Sequence, residues 1–261
     1  MSASQSFAGS SETPDGMLAH CVGRVTAKGR VAGFSLVETA VGLFILLVIM
    51  AAIFSQINQI TEASSSEASK MDMTQEAREF IDQTVRDLHM AGYPRTDMYS
   101  PNFDLTSPLV AAGLARVSPT DILLEGDVQT SGVVSSVEIQ YVPQDANDPA
   151  CPCVRRSEAP KVAGSPLAQP AATQYTQVES VMPPGVGPGL SGQDLFTFYD
   201  KNGNQVDVTG TPDISTAAGE NTLNTIKTVK INLSLLSATL DPVTRTPQRI
   251  SISVTGHLNN Y

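Results

Sequence analysis

An apolar run from residue 34 to residue 54 constrains this chain more than any other feature of its sequence. Within this run the side chain of Glu38 carries the single charge. At about 1.5 Å of rise per residue, a helix of this length extends roughly 30 Å, the thickness of the hydrocarbon core of a bilayer. A carboxylate in that core costs about 2.5–3.5 kcal/mol, so Glu38 needs a compensating partner. The sequence therefore predicts one membrane-spanning helix with a functional carboxylate near its start.

The segment before the apolar run predicts the orientation of this helix. Residues 1–33 are polar, and their second half carries Arg24, Lys28 and Arg30 with no acidic residue after Asp15. Positive charge next to an apolar helix keeps that end on the cytoplasmic side. We therefore expect a single-pass protein of the inner (cytoplasmic) membrane, with its N-terminus in the cytoplasm and its head in the periplasm.

Residues 33–38 read Gly-Phe-Ser-Leu-Val-Glu and lead directly into the apolar run. This pattern resembles the N-terminal signature of type IV prepilins. The resemblance implies that prepilin peptidase cleaves between Gly33 and Phe34 and methylates the new N-terminal Phe34. Residues 1–33 are then a leader peptide, with translation starting at Met1 or at Met17, and 228 of the 261 residues remain after cleavage. The alternative is an uncleaved signal anchor.

The same resemblance offers a partner for Glu38. Cleavage creates an ammonium group on Phe34, and a carboxylate attracts an ammonium strongly where the dielectric constant is low. The resemblance implies that Glu38 meets the N-terminus of a neighbouring subunit and so sets the axial register of a filament. Because Glu38 lies four residues from Phe34, it is also within reach of its own N-terminus. The sequence leaves both pairings open.

The helical pattern continues beyond the membrane segment. No proline occurs from Phe34 to Tyr93, and apolar residues recur at helical spacing between residues 77 and 88. Gly92 and Pro94 indicate the end of the helix. We therefore expect a transmembrane or filament-core helix over residues 34–57 and its amphipathic continuation over residues 58–93.

Residues 94–261 predict a β-rich globular head. The candidate strands alternate apolar and polar residues or are rich in β-branched residues, and they cover residues 121–125, 133–142, 153–157, 194–199, 205–209, 226–236 and 249–258. Asn202-Gly203 between two of them predicts a hairpin with a type I′ turn. Residues 159–192 are rich in proline and glycine and predict a long surface loop. The predicted fold class is α+β, with a long N-terminal helix packed on an antiparallel sheet, as in the lollipop architecture of pilins.

Two further stretches narrow the resemblance. Residues 77–93 (AREFIDQTVRDLHMAGY) and the sequence CVRR at 153–156 resemble minor pilins of the PilW type. Residues 194–204 (DLFTFYDKNGN) are similar to a stretch of the J-type pseudopilin of type II secretion. The implied function is a minor pilin of a type IV pilus that primes or joins assembly by packing its N-terminal helix against other major and minor pilins. The alternatives are a type II secretion pseudopilin and an adhesion module displayed at a pilus tip.

The remaining chemistry of the sequence is sparse. Cys151 and Cys153 form a Cys-Pro-Cys sequence, which permits either a disulfide in an oxidising compartment or two free thiols. No Cys/His set has the spacing of metal ligands, no catalytic or nucleotide-binding motif is present, and we expect no cofactor and no enzymatic activity. A net charge of -10 argues against nucleic acid as a partner.

Overall fold

The structure is a computed structural model that describes residues 33, 35–99, 103–144, 148, 151–185, 193–241 and 244–260. The fold class is α+β, as predicted: a long helix, a five-stranded antiparallel sheet and a second, three-stranded antiparallel sheet. The chain divides into two units, with the boundary between Ala52 and Ile53.

The long helix α1 spans Leu36–Met90. Gly92 ends it by adopting a left-handed backbone conformation (φ 80°), which is available to glycine without steric cost. The predicted stop at Gly92 and Pro94 is therefore confirmed to within a few residues. A short 3-10 helix, Thr96–Met98, follows directly.

The first sheet contains β1 (Gly113–Val117), β2 (Asp121–Gly126), β3 (Ser135–Val142), β4 (Cys153–Pro160) and β5 (Gln174–Val178), in the order of the chain. The second sheet contains β6 (Phe196–Tyr199), β7 (Thr228–Leu240) and β8 (Pro247–His257), also in chain order, with the short helix α2 (Ala217–Thr225) before β7. All neighbouring strands are antiparallel.

The hydrophobic core of residues 53–261 lies between the C-terminal part of α1 and the inner faces of both sheets. Ala77, Phe80, Ile81 and Leu88 supply the helical side, and all four are at most 2 % exposed. These residues belong to the predicted apolar stripe, which is confirmed. Burying each large apolar side chain contributes about 1.5–3 kcal/mol, so this stripe is what attaches the helix to the sheets.

Residues 205–209 were predicted as a strand, and this prediction is wrong. Only an isolated bridge joins Gln205 to Tyr199, and the Asp207 carboxylate accepts a hydrogen bond from the Thr209 N–H at 3.0 Å. Aspartate side chains that bind nearby backbone N–H groups in this way compete with a strand ladder.

The preceding turn forms, but not as the predicted type I′ turn. The Gly203 N–H donates to the Asp200 carbonyl at 3.1 Å, and Gly203 has a positive φ of 81° whereas Asn202 does not. This is a type I turn followed by a glycine in the left-handed conformation. The Asp200 carboxylate favours it by accepting the N–H groups of Asn202 and Asn204 at 2.7 and 2.9 Å.

The stretch 159–192, predicted as one long loop, begins inside β4 and contains both a 3-10 helix (Pro166–Ala168) and β5. Residues 186–192 lie outside the described residues. Strand β5 pairs with β4 from Gln174 to Val178, so this segment completes the first sheet.

Candidate functional site: the exposed apolar segment of α1

The N-terminal part of α1 presents apolar side chains to its surroundings on every side. The described large side chains from Leu36 to Phe54 are exposed, with values of 86 % for Leu36 and 68 % for Phe44. The most apolar 18-residue window has a mean hydropathy of 2.6, and none of it is buried within the chain. Within the part of the chain that the structure describes, one helix is therefore long and apolar enough to span a membrane.

The predicted processing and charge-pair residues lie at the start of this segment. Gly33 is exposed and precedes the helix, and Phe34 lies outside the described residues. Glu38 is the acidic residue in the first turn of α1, and its side chain is exposed. A carboxylate in the first turn interacts favourably with the helix dipole, by about 0.3–1 kcal/mol at an exposed site.

The helix therefore changes character along its length. Up to residue 65 its described side chains are exposed, and from Ser66 onward one face becomes buried against the sheets. An exposed apolar surface as large as that of the N-terminal part of α1 is rare on soluble monomers and marks a membrane or protein contact. The buried face from Ser66 onward packs the helix against the β-sheets.

A buried ion pair also joins α1 to the first sheet. The Arg156 guanidinium of β4 donates to the Asp87 carboxylate of α1 at 2.8 Å and also contacts Glu158 at 2.8 Å. Burial raises the pKa of Asp87, while the hydrogen bond and positive charge of Arg156 oppose the rise. One partner lies on the helix and the other on a strand, so the pair is a direct polar contact between α1 and β4.

The C-terminal end of α1 is joined to β2 by backbone contacts. Gly92 N–H donates to the Glu125 carbonyl at 2.9 Å, and Asp127 N–H donates to the Tyr93 carbonyl at 2.8 Å. Between them lies Gly126, where a Cβ atom would stand 2.4 Å from the Met90 carbonyl oxygen. Glycine is required here because the helix end passes too close to the strand for any side chain.

A second buried ion pair lies beside this junction. Lys161 and Glu125 are both fully buried, with 2.6 Å between Nζ and Oε2. Lys161 also donates to the carbonyls of Leu105 and Val110, at 2.7 and 2.9 Å, and so holds the loop before β1 against the sheet. Burial raises the pKa of Glu125, opposed by the ammonium of Lys161. This pair is not predictable from the sequence, because the two residues are far apart in the chain and neither belongs to a motif.

The two cysteines of the Cys-Pro-Cys sequence are joined by a disulfide in the structure. Both sulfur-bearing residues are buried, at 5 % and 0 % exposure. The carbonyl of Pro152 between them accepts the N–H of Val181 at 2.9 Å, and Val181 in turn forms a bridge with Leu235 of β7. The disulfide thus lies where the first sheet is connected to the second.

The described residues contain no group of three or more His, Cys, Asp or Glu side chains arranged to hold a metal ion. Comparison with protein-family models, with curated proteins and with solved structures finds no match to this chain.

Proposed function

We propose that this chain is a pilin-like subunit, of the PilW minor pilin type, that joins a type IV pilus through its N-terminal helix. The observation that carries the proposal is the change along α1 from an exposed apolar surface to a face buried under two antiparallel sheets. The exposed apolar part can lie in a bilayer before assembly and in a bundle of equally apolar helices after assembly. The role is structural, and the proposal includes no catalytic step.

In this proposal, prepilin peptidase removes residues 1–33 and methylates the amino group of Phe34. Before assembly the subunit lies in the inner membrane with its head in the periplasm. It leaves the membrane when its N-terminal helix packs among the N-terminal helices of other pilins. Transfer between two apolar surroundings costs little hydrophobic free energy, because lipid and helix bundle both keep water away from the side chains.

Glu38 directs this transfer. An unpaired carboxylate is costly in either apolar surrounding, and an ammonium at Phe34 offsets that cost. If the ammonium belongs to a neighbouring subunit, only one axial position of the incoming helix brings the two charges together. Assembly is then favoured in that register and disfavoured in the others.

The charge pair is tested by replacing Glu38 with Ala, with Glu38→Asp as the matched control that keeps the charge. Both variants should still be cleaved, because the cleavage site remains. Glu38→Ala should be recovered in sheared filaments at about one tenth of the wild-type level or less, which corresponds to about 1.4 kcal/mol. Wild-type recovery of Glu38→Ala would refute the role of the charge pair, and recovery of Glu38→Asp should lie between the two.

A further inference from the structure

Strand β8 is the outermost strand of the second sheet. It has 11 residues and pairs on one side with β7, in a register that is regular from Thr228–His257 to Leu236–Arg249. Among the described residues, no strand pairs with its other side.

The register determines which backbone groups of β8 are unpaired. Asn232 of β7 donates its N–H to the Leu195 carbonyl, so even-numbered residues of β7 direct their backbone groups away from β8. The odd-numbered residues Ile231 and Leu233 therefore bond to their partners Val254 and Ile252. It follows that the N–H and C=O groups of the intervening β8 residues point to the open side; these are Arg249, Ser251, Ser253, Thr255 and His257.

This open edge lacks the usual protection against pairing. Natural edge strands are commonly short, bulged, rich in lysine, or interrupted by proline. The strand β8 has one charged residue, Arg249, and its proline stands at its first position, Pro247. By contrast, β5 has only five residues, and the outer side of β1 is bridged to Asp213.

The side chains of β8 restrict what can pair with it. Ile250, Ile252 and Val254 are half-buried on the face toward α1, whereas Ser251, Ser253 and Thr255 are exposed on the opposite face. An added strand that alternates apolar and polar residues would continue the apolar row beside the helix.

Strand β8 also runs along α1 in the same direction. Gln248 near its start donates to the Ser66 hydroxyl at 2.9 Å, and near its end a Cβ atom on Gly256 would lie 2.9 Å from Leu88 Cδ1. A second copy that paired antiparallel through the same edge would therefore run residues 66–88 of its α1 in the opposite direction. Copies of this chain in the proposed filament share a single orientation, so two of them cannot meet in this way.

We propose that the open edge of β8 binds an edge strand of a different pilin-like subunit, by β-augmentation. The partner segment is extended, alternates apolar and polar residues, and bonds to the five outward-directed residues of β8. This inference rests on the proposed function, since it identifies how the head contacts another subunit of the assembly.

The test replaces Ser253 with Pro in the full-length chain, with Ser253→Ala as the matched control. Both variants lose the Ser253 hydroxyl bond to Asn232, at 2.9 Å, but only proline removes the outward N–H and places a ring on the open edge. Tagged chains are solubilised from native membranes in a mild detergent, and co-purified subunits whose precursor sequences contain the Gly-Phe cleavage signature are quantified. A photo-crosslinking amino acid at Thr255 identifies the contacting peptide.

We expect Ser253→Pro to recover at least about tenfold less of one signature-bearing subunit than Ser253→Ala, and Thr255 to crosslink to an edge strand of that subunit. Recovery at the wild-type level by both variants would overturn the edge proposal and leave the proposed function standing. An equal loss of the partner in both variants would also overturn the edge proposal, because the missing hydroxyl rather than the backbone N–H would then be responsible. Crosslinking only to β8 of a second copy would overturn it as well. If the wild-type chain recovers no signature-bearing subunit, the proposed function itself fails.

Discussion

Replacing Gly126 with alanine should separate the end of α1 from β2. The added Cβ would lie 2.4 Å from the Met90 carbonyl oxygen and 2.9 Å from its carbonyl carbon, both of which are backbone atoms that cannot rotate away. One of the two chain segments must therefore move. This movement weakens the backbone hydrogen bonds from Gly92 to Glu125 and from Asp127 to Tyr93.

The expected loss of stability follows from these contacts. Overpacking costs about 1–3 kcal/mol, and two weakened backbone hydrogen bonds add about 1 kcal/mol each. Alanine also lowers the conformational entropy of the unfolded chain, which offsets about 0.4–1 kcal/mol of this loss of stability. We therefore expect Gly126→Ala to lose about 2–4 kcal/mol of unfolding free energy, which lowers the melting temperature by roughly 4–16 °C.

The assay is urea and thermal unfolding of the full chain in a mild detergent, followed by circular dichroism. Gly210→Ala is the matched control, because nothing lies within 4 Å of its Cβ position and its φ is not positive. This control should be as stable as the wild type or slightly more stable. Gly256→Ala should be intermediate, because its Cβ would come too close to one atom, Leu88 Cδ1 at 2.9 Å, which lies at the end of a side chain and can move. Wild-type stability of Gly126→Ala, or equal losses in all three variants, would refute the reasoning.

Two further predictions concern the buried ion pairs. Lys161→Met should cost about 3–5 kcal/mol in urea unfolding, because it leaves the Glu125 carboxylate buried without a counter-charge. The double variant Lys161→Met/Glu125→Gln should recover at least about 1 kcal/mol of that loss, and no recovery would contradict the charge argument. Burial raises the pKa of Asp87 in the folded state above its ordinary value of 3.8. The folded protein therefore holds this proton more tightly than the unfolded chain does. The resulting stabilisation is fully present below about pH 4 and is lost as pH rises through the folded-state pKa. Urea unfolding between pH 4 and 7 should therefore show Asp87→Asn gaining stability relative to the wild type as pH rises, and a relative loss would contradict the stated cause.

Much of the fold could be predicted because its signals are local. The helix α1 follows from the absence of proline and from the apolar spacing between Ala77 and Leu88, and β3, β7 and β8 follow from alternation along each strand. The missed elements have weak local signals. The strand β1 (GLARV) is short and starts with glycine, β5 lies in a proline-rich stretch and is half-exposed, and α2 contains Gly219 and Asn224 in only nine residues.

The candidate site divides in the same way. Gly33, Phe34 and Glu38 lie close together at the start of an apolar run, so their proposed roles are predictions from the sequence alone. The pairs Asp87–Arg156 and Lys161–Glu125 join residues that only the tertiary fold brings together. The open edge of β8 is likewise invisible in the sequence, because it depends on the order of strands in the sheet.

The most direct test of the central claim is the N-terminal mass of the protein extracted from native membranes. The proposed function predicts a 228-residue chain that begins at Phe34 and carries one methyl group on its terminal nitrogen. Tandem mass spectrometry of the N-terminal peptide measures both properties at once. An intact terminus at Met1 or Met17, or an unmethylated terminus elsewhere, would contradict the account.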